Sequence, residues 1–312
     1  MWRRVLTHTK AHTKSYTKAK QVRAPTFEHS NHHRWFSLRP KPRKADARKI
    51  DEKTPVENRP LYNTAQTLGE VVSQDYGLSR HIRKTYTKVG LGAGVTVGMA
   101  ALAPHVDLVM QYPGTCLVGG VITALGSIGV MCYEKCKSKV VTDQQGTLDM
   151  EDTMLRKASF WGLVLGEGLT IAPFASVIHE IDPGILPTAA LITTGVMAGA
   201  SLYAYRTPPD QLTLWGTPLY GSLLGLLGVG VVGLGCGLVW GPSSLMFQAL
   251  HSVNTYGGIV LFSAFTAYDT EQMMDRYQTG DPDHIGSATE FYLNFVNLLV
   301  RIMEVLAKFQ KK

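Results

Sequence analysis

The sequence predicts an all-α fold: a polytopic membrane helical bundle of six to seven spans, eight at the most. Three observations predict it. Long uncharged apolar stretches follow residue 80, glycines recur at four-residue spacing inside them, and Lys and Arg are confined to alternate loops. Because backbone polar groups inside a bilayer must be hydrogen-bonded within their own segment, each apolar stretch is expected to be a helix.

The uncharged stretches set the number of spans. A bilayer core needs about 20 apolar residues per helix, and residues 211–268 form one uncharged run that is long enough for two helices with a turn near Gly241. A seventh segment, 290–307, is weaker because its uncharged part is short and contains Asn294 and Asn297. This last segment either spans the membrane or re-enters it. The six clear spans are 87–103, 113–133, 158–178, 185–205, 218–240 and 251–270.

Glycine spacing predicts close contacts between helices. Small residues four apart lie on one helix face and let two backbones approach. The glycines with this spacing are Gly90, Gly94 and Gly98, then Gly162 and Gly166, then Gly221 and Gly225, and then Gly233, Gly237 and Gly241.

Loop charge predicts the orientation. Lys and Arg cluster before the first span and in the loop 134–157, whereas the loop 179–184 carries Glu180 and Asp182. Positive loops stay on the side from which a membrane protein is inserted, so the N-terminus and the loop 134–157 are expected on the same side. The basic tail 308–312 would share that side if the last segment re-enters.

The N-terminal head predicts a mitochondrial address. Residues 1–59 hold 16 of the 31 Lys and Arg but 5 of the 24 Asp and Glu, with no acid before Glu28. An acid-poor, Arg-bearing head without an apolar core is typical of a transit peptide, here residues 1–36 with cleavage between Phe36 and Ser37. A basic arm that binds acidic lipid is the alternative. Residues 37–80 are predicted to be a polar matrix linker, residues 81–312 the transmembrane bundle, and the mitochondrial inner membrane the location.

Ionisable and amide side chains inside the spans are the candidate functional residues, because a charge at the bilayer centre costs about 2.5–3.5 kcal/mol or more. Glu167 lies in the third span and Asp269 ends the sixth. Glu290 and Asn294 are four residues apart and share a face of the last helix. The alternatives are a packed acid for Glu167 and an ordinary interfacial carboxylate for Asp269. His251 is expected to be a satisfied interfacial histidine.

Two motifs resemble a known family. The sequence 262–270, FSAFTAYDT, is followed by 291–298, FYLNFVNL, and 167–173 reads EGLTIAP. Together they are similar to the transmembrane Bax-inhibitor-motif family over about residues 80–308, and the basic head makes the chain most similar to that family's mitochondrial member. The resemblance implies a helical bundle that leaks calcium or exchanges it for protons, with links to apoptosis control and cristae organisation. It also implies that Asp269 faces the position of Asn294.

The sequence departs from the family at Asn294, where the family has Asp. Two close carboxylates share a proton until a divalent cation replaces it, but an amide has no proton to titrate. Asp269 is then the expected calcium ligand, with Asn294 as neutral partner and Glu290 as a candidate second carboxylate. Two functions stay open: calcium transport, or an inner-membrane scaffold that binds partner proteins.

Other classes of function are not expected. The chain lacks the common hydrolase, zinc-protease and phosphate-loop motifs, so an enzyme is not expected. No cofactor is expected besides calcium as the transported ion. The expected partners are the lipid bilayer, calcium and protons, and inner-membrane proteins. The basic charge belongs to the head, so nucleic acid is not an expected partner.

Overall fold

The computed structural model describes residues 62–142, 147–207, 211–241 and 243–310. The transit peptide with its cleavage site, and residues 37–61 of the predicted linker, lie outside the described residues. The described part is a helical bundle with one antiparallel hairpin. The helices are α1 Tyr62–Leu102, α2 Asp107–Gln111, α3 Pro113–Lys135, α4 Met154–Ile181, α5 Ile185–Arg206, α6 Gly216–Trp240, α7 Leu245–Gln278 and α8 His284–Gln310. The strands are β1 Lys139–Thr142 and β2 Leu148–Glu151, and single-turn 3-10 helices lie at Ala103–His105 and Leu212–Trp215.

The predicted spans coincide with long helices. Within the described residues, four helical segments are apolar and long enough to cross a membrane: α3, α4, α5 and Leu212–Trp240. The helices α1, α7 and α8 carry more polar residues, yet each contains a predicted span. The predicted turn after the fifth span is also confirmed, because α6 ends at Trp240 and the next residue, Gly241, has a φ of 80°. Glycine adopts that left-handed conformation without the steric cost that other residues incur.

The predicted linker, residues 37–80, overlaps the first helix. Helix α1 begins at Tyr62, so residues 62–80 are helical. Part of the reason is tertiary packing. A β-carbon placed on Gly77 would lie 2.0 Å from the hydroxyl oxygen of Tyr277, so α1 and α7 pack closely before the first apolar stretch begins. The polar composition of this segment hides that contact.

Helix α8 is the centre of the bundle. It packs against α1, α4, α5 and α7, and six of its large side chains are fully buried: Ile285, Phe291, Tyr292, Leu298, Leu299 and Met303.

Its two ends fix its path. His284 lies beside Asp152, before the start of α4, and the Gln310 side chain donates to Asp182 Oδ2 at 2.8 Å, beyond the end of α4. Helix α8 therefore crosses the bundle from the end that carries the hairpin (the hairpin end) to the end that carries Asp182 (the Asp182 end). The re-entrant alternative is wrong, and Lys308 belongs to the Asp182 end.

The glycine prediction holds for some helices and fails for others. Gly162 and Gly166 of α4 pack against α3, where a β-carbon on Gly166 would lie 2.7 Å from the backbone nitrogen of Ala124. Filling such a contact typically costs about 1–3 kcal/mol. By contrast, a β-carbon on Gly94 or Gly225 would meet nothing within 4 Å, and the same holds for Gly90, Gly98 and Gly221. Spacing identifies a face of small residues, but it does not tell whether a partner helix covers that face.

Candidate functional site

Asp269 of α7 and Asn294 of α8 form a buried polar pair. The amide nitrogen of Asn294 donates to Asp269 Oδ2 at 2.7 Å, and each residue is 6% exposed. On either side of Asp269 the buried hydroxyls of Thr266 and Thr270 are satisfied by carbonyls one turn earlier on α7. The structure thus brings together two residues that lie 25 positions apart in the sequence.

Glu290 has a different partner. One turn from Asn294 on α8, its two carboxylate oxygens each accept from Arg276 Nη1 of α7 at 2.9 Å. The charge of Glu290 is therefore matched by Arg276. Among the described residues, Asp269 has no ion pair of its own.

The Asp269–Asn294 pair can accept one proton without losing its hydrogen bond. An ionised carboxylate accepts from the amide N–H, whereas a protonated one has an O–H to donate. Rotation of the Asn294 amide by half a turn would then present its oxygen as the acceptor. The same rotation would let a cation contact both Asp269 and the amide oxygen.

Calcium would find an incomplete set of ligands in this pair. It takes about six to eight oxygens, and the pair offers two carboxylate oxygens and one amide oxygen. Within the described ranges, no group of three or more His, Cys, Asp or Glu side chains could hold a metal ion. Water or backbone oxygens would have to supply the other ligands, which suits an ion in passage better than one held tightly.

Neither Glu167 nor His251 is hydrogen-bonded to the Asp269–Asn294 pair. Glu167 is half-buried on α4, and no hydrogen bond or ion pair joins it to another described residue. Next to it, Gly168 packs against Met99 of α1. His251 lies near the Asp182 end, stacked on Phe247 and 2.6 Å from a carboxylate oxygen of Glu304. It is thus a satisfied histidine near a helix start, as expected.

Comparison with known proteins identifies the family. The profile described as "Inhibitor of apoptosis-promoting Bax1" matches residues 78–311, which is almost the whole described bundle. The chain belongs to the Bax-inhibitor family. The resemblance seen in the motifs is therefore confirmed, and the chain is a multi-pass membrane protein of an apoptosis-related family.

The relatives share the bundle at low identity. Bax inhibitor 1 of Bos taurus is 27% identical over 233 residues, which cover 74% of this chain and 87% of the relative. Bax inhibitor 1 of Oryza sativa subsp. japonica is 26% identical over 199 residues, 61% of this chain and 69% of the relative. Growth hormone-inducible transmembrane protein of Rattus norvegicus is 33% identical over 146 residues, but these cover 45% of this chain and 40% of the relative.

The structure of this Bax-inhibitor chain contains a second cluster of buried polar side chains, which the sequence analysis did not predict. At the hairpin end, Arg156 is 1% exposed, and its guanidinium pairs with Asp152 and, at 2.6 Å, with Asp283. His284 Nε2 lies 3.6 Å from Asp152. We call Asp152, Arg156, Asp283 and His284 the hairpin-end cluster. The available signal was the four-residue spacing of Asp152 and Arg156, but nothing in the sequence connected them to Asp283.

Asp283 is held ionised by its neighbours. Burial by itself would raise the pKa of its carboxyl. The backbone N–H of Gly286, the guanidinium of Arg156 and the ammonium of Lys135 outweigh that effect and hold the pKa below its usual range. The carboxylate thereby joins the first turn of α8 to α3 and α4.

His81 adds a pH dependence to this end of the bundle. Its ring packs on Tyr277 and His284, and burial, reinforced by His284 and Lys84 against the opposing Asp283 and Asp149, lowers its pKa from 6.5 to about 4. The folded protein therefore keeps His81 neutral, while the unfolded chain binds a proton below about pH 6.5. This contribution to stability is present above that pH and is lost as pH falls toward 4. Acidification from about pH 7.5 to about pH 5 should lower the free energy of unfolding by up to about 2 kcal/mol.

The apparent melting temperature in detergent at the two pH values measures this effect. His81→Phe keeps a ring against Tyr277 and should make the pH dependence shallower. His105→Phe, at an exposed histidine, is the matched control and should leave it as in the wild type. An identical pH dependence in all three proteins would contradict the assignment to His81.

Proposed function

We propose that this protein conducts calcium through its helical bundle under the control of protons, as an exchanger or a pH-sensitive leak. Asp269 is the group that takes up either the proton or the cation. The observation that carries the proposal is the buried Asp269–Asn294 pair at the contact between α7 and α8, in which the carboxylate forms no ion pair with another described residue.

The neighbouring charges support this role for Asp269. A buried carboxylate costs free energy unless it is paired or protonated. Arg276 is already engaged by Glu290 through two hydrogen bonds, so the next turn is close to neutral and Asp269 keeps an unbalanced charge. A proton or a calcium ion would balance it, and each would compete with the other for the same oxygens.

The proposed location is the mitochondrial inner membrane, with the hairpin end in the matrix. The acid-poor head, the concentration of Lys and Arg at the hairpin end and the partial similarity to growth hormone-inducible transmembrane protein support it. N-terminal sequencing of the mature mitochondrial protein should give a chain that starts at Ser37. A mature chain that starts at Met1, or recovery of the protein from the endoplasmic reticulum, would contradict the location.

The second candidate is an inner-membrane scaffold that binds partner proteins and maintains cristae without transport. Two points favour it: this chain has Asn294 where the resemblance implies a second carboxylate, and Glu290 is neutralised by Arg276. Calcium flux into proteoliposomes with an imposed pH gradient separates the two functions. Flux that depends on the gradient supports transport. Its absence from correctly folded protein supports the scaffold.

A further inference from the structure

A cavity of about 480 Å³ lies between α6, α7 and α8, away from the Asp269–Asn294 pair. Its volume is in the range of roughly 300–1,000 Å³ that is common for small-molecule sites. Most of its wall is apolar, with Leu223, Leu226 and Leu250 among the lining residues, and its polar lining includes Arg301. The lining residues Leu227 and Val231 are 59% and 69% exposed, so the cavity opens on the outer surface of the bundle that faces lipid.

Arg301 is built into this cavity by several contacts. Its Nη1 donates to the backbone and side-chain oxygens of Asn297 at 3.2 and 3.0 Å, and its guanidinium lies 4.9 Å from the ring centre of Phe262. A β-carbon on Gly258 would lie 1.9 Å from Arg301 Nε, so the glycine makes room for the arginine. The side chain is therefore held in place by packing rather than free to leave the bundle.

Arg301 lacks a carboxylate partner. Within the part of the chain that the structure describes, no acid lies within 4.0 Å of its guanidinium. The nearest candidate along α8, Glu304, is engaged by His251, Thr255 and Lys308. A cation inside a membrane span is costly without compensation, and neutral oxygens and one aromatic face compensate it in part.

Arg301 lies well inside the last helix, so a phosphate that binds it must leave the headgroup layer. Arg301 lies nine residues before Gln310, or about 14 Å along the axis from the Asp182 end. The opening beside Leu227 and Val231 faces the acyl chains directly. An acidic head could reach the guanidinium from this side while its hydrocarbon chain stays on the leucine-lined wall.

We propose that this cavity binds an anionic phospholipid of the surrounding bilayer, with its phosphate on Arg301 and an acyl chain between α6 and α7. The guanidinium then gains the charge-assisted hydrogen bonds that the protein does not provide. The lipid also covers apolar surface that the three helices leave open. This site is separate from the proposed transport pair and does not depend on it.

Native mass spectrometry of the purified full chain in detergent tests the proposal, with added phosphatidylglycerol, phosphatidylcholine or oleate. The wild type should bind phosphatidylglycerol about tenfold more tightly than phosphatidylcholine, because the choline cation of phosphatidylcholine offsets the phosphate charge that Arg301 would otherwise balance. Arg301→Gln should lose this preference. Arg206→Gln, which removes an exposed arginine at the end of α5, should keep it.

A second variant makes the test independent of the folding of Arg301→Gln. A β-carbon on Gly230 would have its nearest contact at an ordinary 3.7 Å from Asn254, so Gly230→Leu should fold, fill the cavity and lower phosphatidylglycerol binding with Arg301 in place. Preference for phosphatidylglycerol that survives in Arg301→Gln, or binding that survives in Gly230→Leu, would overturn the proposal. Binding of oleate in place of phosphatidylglycerol would overturn it in favour of a free fatty acid.

Discussion

Asp269→Asn should abolish calcium flux that depends on a pH gradient, reducing it to the level of protein-free vesicles. The substitution keeps the size of the side chain and a hydrogen bond to Asn294, but it removes the carboxylate that the proposed exchange requires. Flux is measured in proteoliposomes with a calcium indicator inside and a pH step outside. Asp275→Asn is the matched control, because Asp275 is exposed on the same helix and its loss should leave flux unchanged.

Asn294→Asp extends this experiment in the opposite direction. The amide nitrogen of Asn294 lies 2.7 Å from Asp269 Oδ2, so the new carboxylate would lie within hydrogen-bond distance of Asp269. Two acids this close would titrate as a coupled pair. Flux should therefore depend more steeply on pH, and calcium should bind more tightly because one neutral oxygen becomes a carboxylate. Undiminished flux in Asp269→Asn would refute the carboxylate mechanism. If neither the wild type nor Asn294→Asp moves calcium, the scaffold function is the better explanation.

Arg156→Met should destabilise the protein by about 3–5 kcal/mol, because it leaves Asp152 and Asp283 buried without their shared cation. The expected result is a large fall in the apparent melting temperature of the purified protein, and loss of folded protein from the membrane if the margin of stability is small. The hairpin, α4 and α8 meet at this arginine, so the start of the central helix would lose its anchor.

Lys157→Met is the matched control for Arg156. The two cations are neighbours on α4, but Lys157 is exposed, and exposed charges contribute about 0–1 kcal/mol. Its melting temperature should stay near that of the wild type. Equal losses in the two variants would show that the hairpin-end cluster does not have the stabilising role assigned to it.

The sequence predicted which residues of the candidate site carry chemistry, but it did not predict which of them pair with each other. Asp269 stood out because a carboxylate at the end of an apolar run is costly, and the two motifs placed Asn294 opposite it. Glu290 could not be assigned in this way. Its spacing from Asn294 put it on the right face of α8, but the choice between Asp269 and Arg276 as its partner depends on how α7 and α8 are aligned, and the alignment is a property of two helices together.

The hairpin-end cluster and the Arg301 cavity also depend on contacts between helices that the sequence does not predict. Arg156 and Asp283 are 127 residues apart in the sequence, and Gly258 is needed because Arg301 passes beside it. Neither of these two contacts produces a periodic pattern in the sequence. The glycines of α1 illustrate the converse, since their regular spacing predicted a packed face where the structure has open space.

The sequence by itself determined six of the long helical segments, the turn at Gly241 and the identity of the costly side chains inside the spans. These features depend on how single segments interact with water and lipid, and that interaction is local. The tertiary structure decided that α8 crosses the whole bundle, that Glu290 pairs with Arg276 and that Arg301 lacks a carboxylate. Those features depend on distances between segments far apart in the chain, and such distances are fixed only when the helices pack.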